Sequence, residues 1–139
     1  ASLSGACDIR MMAETVKKMP VIEGDSKSFI PAFGDDCDIK DEQDLYYLAK
    51  KVAEMPKEKQ PRIALMTGKQ DDLFFLHDQA KALGEYMKGL DLREFKYMAW
   101  DGVHDYTFWD RAILHTISYF LQNDYDKKQI GLWTTEATL

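Results

Sequence analysis

Two short stretches of the chain carry side chains able to move a proton together. Gly102-Val103-His104-Asp105-Tyr106 places a histidine on a glycine-preceded loop, between an extended apolar run (Phe95 to Trp100) and a long amphipathic stretch. Upstream, the strand-like run Arg62 to Met66 ends in Thr67-Gly68-Lys69-Gln70-Asp71-Asp72. In open α/β sheets, functional groups collect beyond the carboxyl ends of the strands, which is where Asp71 and His104 fall. A carboxylate that accepts from one imidazole nitrogen fixes the ring's tautomer. The other nitrogen can then take a proton from a hydroxyl. The plainer alternatives are that Asp71 caps the helix after it and that His104 bonds to loop backbone. Asp72 is the rival acid, since only one of two adjacent side chains can aim at the imidazole.

The elements that must position these residues are legible in the hydrophobic spacing. A short strand at Ser2 to Ser4 leads to a helix near Asp8 to Lys18, closed by Pro20. Residues 19 to 40 read as loop, punctuated by Gly24, Pro31 and Gly34. A helix then starts at Asp41, with Leu45, Leu48, Ala49 and Val52 at helical spacing and an acidic first turn, and stops before Pro56. Ile63-Ala64-Leu65-Met66 is a continuous apolar run of the kind found in strands covered on both faces. The next helix carries Leu76, Ala80, Leu83, Met87 and Leu90 on one stripe. The last, about Thr107 to Gln122, is expected to bury Trp109, Ile113, Ile117 and Phe120.

Strands alternating with helices imply an α/β fold with parallel strands and right-handed crossovers. Residues 1–123 form one domain, with an insert at about 8–55, and 124–139 form a polar tail. Ala1-Ser2-Leu3-Ser4-Gly5 opens in mid-strand, and three strands make a meagre sheet with a bare edge. The expectation is therefore a piece of a longer protein.

Composition narrows the classes. With 45% hydrophobic and 30% charged residues the chain has a soluble profile, and its net charge of −6 comes without a basic stripe for nucleic acid. No apolar stretch approaches the roughly 20 residues of a membrane span. Cys7 and Cys37 lack metal-ligand spacing, so free thiols in a reducing, cytoplasmic compartment are expected.

The chain resembles the C-terminal half of α/β-hydrolases of the esterase D-like branch, close to bacterial tributyrin esterases. The resemblance rests on Ser2-Leu3-Ser4-Gly5, on Phe33-Gly34-Asp35, on Gly68-Lys69-Gln70-Asp71, and on Gly102-Val103-His104-Asp105-Tyr106-Thr107-Phe108-Trp109. It extends to about Leu121, and the acid-then-histidine order agrees with the family's Ser…Asp…His order. It implies a serine carboxylesterase of short-chain acyl esters, with Asp71 and His104 catalytic, Asp71 taken over Asp72, and no metal or cofactor. The family's Gly-x-Ser-x-Gly nucleophile is missing: Ser2, Ser4, Ser26, Ser28 and Ser118 all lack the flanking glycines. The resemblance puts the nucleophile and the oxyanion-hole amides upstream, so this segment alone is expected to be inactive. The expected partners are a small acyl ester and the N-terminal half of the same domain; a homo-oligomer is permitted, nucleic acid and membrane are not expected. The alternatives are an acyltransferase of the same fold and a non-catalytic α/β binding module.

The remaining candidates are weaker. Cys7 follows the strand in the wrong element for a substitute nucleophile. Asp35-Asp36-Cys37-Asp38 hints at a calcium loop, but Lys40 and a missing glycine argue for a solvated loop. His77 and His115 fall off the apolar stripes and read as surface residues. Phe108 and Trp109 read as packing, and Tyr106 as a residue that lines the substrate site. The insert, with Met12, Val21, Ile22, Phe29 and Ile30, reads equally as a cap over an acyl pocket or as surface packing.

Overall fold

The computed structural model describes residues 1–18, 33–34, 36–121 and 137–138. The strand run around Ile63 to Met66 becomes β2 (Arg62–Gly68), the middle of a sheet. On one side of it lies β1 (Ser2–Leu3), on the other β3 (Glu94–Trp100), both parallel to it. Seven residue pairs from Arg62↔Glu94 to Gly68↔Trp100 set the register of β2 and β3, so both strands end at one level. That common end is what brings their following loops together.

Each connection between parallel strands runs through helix, as parallel pairing requires. After β1 come α1 (Ile9–Lys18), a 3-10 turn (Asp41–Gln43) and α2 (Leu45–Ala53). Between β2 and β3 lies α3 (Leu76–Lys88), and α4 (Tyr106–Leu121) follows β3. The side-chain alternation of the strands divides the core in two. Leu65, Tyr97 and Ala99 face Ala49, Ala80, Leu83, Met87 and Cys7 under α2 and α3. Ala64, Met66, Met98 and Trp100 face Phe108 and Ala112 of α4. This accounts for the unbroken apolar run of β2: both faces are covered. A third cluster, Ala13, Cys37 and Ile39 with Ile9 and Phe33 against it, lies within the insert. The chain is thus a mixed α/β fold built on three parallel strands, and among the described residues no helix is long and apolar enough to cross a membrane.

Several expectations are corrected. The helix expected from Asp41 starts at Leu45, because the Asp44 carboxylate caps it by accepting from the Tyr46 amide at 2.9 Å. Asp41 and Asp44 instead hold the Arg10 guanidinium, at 2.8 and 2.6 Å. On α2 Leu48 is exposed and Ala49 is the buried residue. On α4 the buried face is Phe108, Ala112, His115 and Ser118, while Ile113 and Ile117 are 51% and 40% exposed. The helix is rotated because Phe108 stacks on Trp100 at 4.6 Å and the small Ala112 lets the backbone approach the sheet. His115, expected at the surface, is buried with its ring 5.0 Å from Trp100. His77 is half-buried rather than exposed. The polar tail contributes β4 (Ala137–Thr138), antiparallel to β3 at Met98 and Ala99, which gives part of that strand's outer edge a partner. Pro20, Asp35 and the apolar insert residues Val21, Ile22, Phe29 and Ile30 lie outside the described residues.

Backbone strain is concentrated just before α3. Phe74 (φ 46°) and Phe75 (φ 60°) are consecutive left-handed residues in a 3-10 turn, Leu73–Phe75, a conformation that costs a bulky side chain about 1–2 kcal/mol. Phe75 is 64% exposed, so glycine there forfeits little burial. Phe75→Gly is expected to stabilise the fold by about 0.5–1 kcal/mol after the added freedom of the unfolded glycine is subtracted. Thermal melting should show a gain of about 2–4 °C; a lower midpoint would mean the turn is held by the Phe75 side chain itself.

Candidate active site

The loops beyond β2 and β3 lie against each other, and their sequences account for how. The parallel ladder continues past the strands: the Lys69 amide donates to the Trp100 carbonyl at 2.9 Å, and the Gln70 amide to the Gly102 carbonyl at 3.0 Å. A side chain on Gly68 would put its Cβ 2.3 Å from the Gly102 carbonyl oxygen. A Cβ on Gly102 would meet Phe108 at 2.9 Å. The two glycines therefore serve close approach, of loop to loop and of loop to α4. Gln70 closes the seam, its Oε1 accepting from the Gly102 amide at 2.7 Å and its Nε2 donating to Asp101 at 3.3 Å.

This seam brings Asp71 to His104. His104 Nδ1 lies 3.0 Å from Asp71 Oδ2, with the acid side chain fully buried and the imidazole about one-third exposed. With the carboxylate acting as acceptor, this contact takes the Nδ1 proton of the imidazole and leaves Nε2 as the basic nitrogen. Trp109 holds the ring from the side, edge-on at 5.0 Å and 89°. Asp71 has no cap role: the 3-10 turn that follows begins at Asp72 without a side-chain cap bond. Asp72 is exposed and contributes its carbonyl, which accepts from the Phe75 amide at 3.1 Å. Of the two adjacent acids, Asp71 is the one aimed at the imidazole.

One neighbour of His104 has plain structural work. Asp105 caps α4, its Oδ1 accepting from the Phe108 amide at 3.0 Å. Tyr106 is 79% exposed and touches the ring of Trp109 at 5.1 Å rather than His104. Sequence reasoning passed over Gln70, Asp105 and the contact of Trp109 with the histidine. Asp105 had a readable signal, an aspartate directly before a helix. Gln70 had none, because its role exists only once two distant loops meet.

Cys7 is not poised for nucleophilic work. Burial pushes its thiol up to about 11, against the lowering effect of a hydrogen bond with Ser2, and Asp8's charge adds to the rise. Its Sγ donates to the Gly5 carbonyl at 3.3 Å, and an un-ionised buried thiol is inert. Among the described residues no group of three or more His, Cys, Asp or Glu side chains is arranged to hold a metal ion. Comparison with protein-family models, curated proteins and solved structures finds no match to this chain.

Two outcomes follow from these contacts. Gly68→Ala is expected to cost about 1–3 kcal/mol in urea unfolding, because backbone on both sides must move; a neutral result would mean the seam is soft. The raised Cys7 pKa means that the folded state keeps its proton as pH rises from about 8.5, the ordinary thiol value, toward 11. That thiol's contribution to stability is full below 8.5 and is lost through that window. Iodoacetamide at pH 8.5 should therefore label Cys7 at least about tenfold faster in urea than in the native chain, read by peptide mass.

Proposed function

We propose that this chain carries the acid and base of a serine carboxylesterase acting on short-chain acyl esters, within the C-terminal half of an α/β-hydrolase domain. The observation that supports it is the contact of a fully buried carboxylate with a partly exposed imidazole, at the ends of adjacent parallel strands. In this reading His104 Nε2 takes the proton of a serine hydroxyl as the oxygen attacks the ester carbonyl. It then returns that proton to the departing alcohol, and repeats the exchange with water to release the acid. Asp71 holds the ring by Nδ1 and stabilises the imidazolium in each half-reaction. It remains ionised throughout.

The serine is supplied from outside residues 1–139, since no serine of this sequence lies in Gly-x-Ser-x-Gly. The oxyanion donors come with it, one of them the amide after the nucleophile. The N-terminal half of the same domain is thus the partner this reading requires. Neither metal nor cofactor takes part.

In the protein that includes that serine, His104→Ala is expected to lower p-nitrophenyl acetate turnover by at least about 10³-fold and Asp71→Asn by about 10⁴-fold. Residues 1–139 alone should show neither turnover nor labelling by a fluorophosphonate probe. Undiminished turnover in His104→Ala sinks the assignment.

A further inference from the structure

Gln79 is a buried polar residue on the face of α3 that otherwise carries Leu76, Ala80, Leu83 and Met87. Its side-chain amide bonds to three backbone groups. Oε1 accepts from the Cys7 amide at 3.0 Å and the Asp8 amide at 2.9 Å. Nε2 donates to the Phe74 carbonyl at 2.7 Å. One side chain thereby ties the segment after β1 to the turn that follows Asp71.

Both ends of this tie bear on the acid. Phe74 and Phe75 hold the left-handed conformation that lets the chain turn from Asp71 into α3, and such strain persists only where the surroundings over-determine it. The Asp71 carbonyl accepts from the His77 amide and the Asp72 carbonyl from the Phe75 amide, both at 3.1 Å. These bonds run through the strained turn that Gln79 holds. The Asp71 carboxylate has few restraints of its own: Oδ2 meets His104, and Oδ1 has no hydrogen-bond partner among the described residues. Its aim is therefore set by its backbone. At the other end, Asp8 starts α1, its Oδ1 accepting from the Met11 amide at 2.8 Å, so Gln79 also fixes where the insert leaves the sheet.

We infer that Gln79 is a positioning residue for Asp71, holding the acid's turn against the start of the insert so that the carboxylate meets His104 Nδ1. Its bearing on catalysis rests on the esterase reading above; its bearing on the imidazole does not.

The test uses two substitutions of similar shape. Gln79→Met removes both halves of the tie, whereas Gln79→Glu keeps the acceptor for the Cys7 and Asp8 amides and loses the donor to Phe74. Ring nitrogen shifts of His104, measured by NMR on the 139-residue chain, report the Nδ1–H tautomer, with Asp71→Asn as the reference for its loss. Both variants are expected to move the shifts toward that reference. Phe75→Gly, added to Gln79→Met, should bring them part of the way back by relieving the turn that Gln79 holds. In the protein that includes the serine, both variants should lower kcat by about 10- to 100-fold with KM little changed.

Wild-type ring shifts in both folded variants overturn the proposal. Unfolding of Gln79→Met with and without Phe75→Gly overturns it too, by making Gln79 a residue of the fold at large. Shifted ring signals with ester turnover untouched by Asp71→Asn keep the positioning role and remove the esterase reading. Loss of turnover in Asp71→Asn beside a wild-type ring signal and kcat in both Gln79 variants does the reverse.

Discussion

The loops beyond β2 and β3 can lie side by side only because Gly68 carries no side chain where they meet. The Cβ missing at Gly68 would stand 2.3 Å from the Gly102 carbonyl oxygen. Everything at the candidate site depends on that approach. It permits the two backbone bonds that extend the parallel ladder past the strands, and these set the relative height of Asp71 and His104. The same glycine pair also governs the other side of the loop, since Gly102 leaves room for Phe108, whose stacking on Trp100 sets the rotation of α4. The helix rotation and the acid–imidazole contact thus rest on neighbouring glycines of one seam, Gly102 for the first and Gly68 for the second.

That dependence explains which features were legible in the sequence. β2, β3 and α3 carry the periodicity of fully and half-buried elements, and their bounds fall close to the expected ones. Asp71 and His104 were legible as strand-end residues on glycine-preceded loops. The buried face of α4 was not, because Phe108, Trp109, Ala112, Ile113 and Ile117 leave apolar residues on more than one face. Which face turns inward is decided by Trp100, on another element, and no count along the helix contains it. His115 was misread for the same reason: its burial follows from a rotation that spacing does not record. Gln79 is the opposite case, a polar residue on an otherwise apolar face. Its partners, Cys7, Asp8 and Phe74, come from two segments far apart in the chain.

The balance between stability and geometry differs across the molecule. The sheet core follows the usual preferences: apolar residues, alternating faces and helices on both sides, α2 and α3 on one and α4 on the other. Around Asp71 those preferences are broken within a few residues. A carboxylate is fully buried, one of its oxygens lacks a partner among the described residues, and two phenylalanines adopt left-handed backbone conformations. Each is unfavourable taken alone. Sites where sequence and backbone disagree in this way are commonly sites of function.

The nature of the disagreement separates the two readings of Asp71. A helix cap would place the carboxylate at the mouth of α3, accepting from amides of the first turn, where water screens it and the dipole favours it. Asp71 does neither, and the turn beside it is uncapped by any side chain. A structural ion pair would gain most from a permanently charged partner, such as the arginine that Asp44 has in Arg10. Asp71 is instead paired with a residue whose charge changes with the loss or gain of one proton, and that partner alone reaches solvent. A buried, acceptor-only group facing a titratable ring with one nitrogen free holds a proton in place or stabilises one that arrives. A carboxylate so placed meets a neutral ring and an imidazolium differently. That difference between the two protonation states is what proton-transfer catalysis uses, and neither a cap nor a permanent ion pair supplies it.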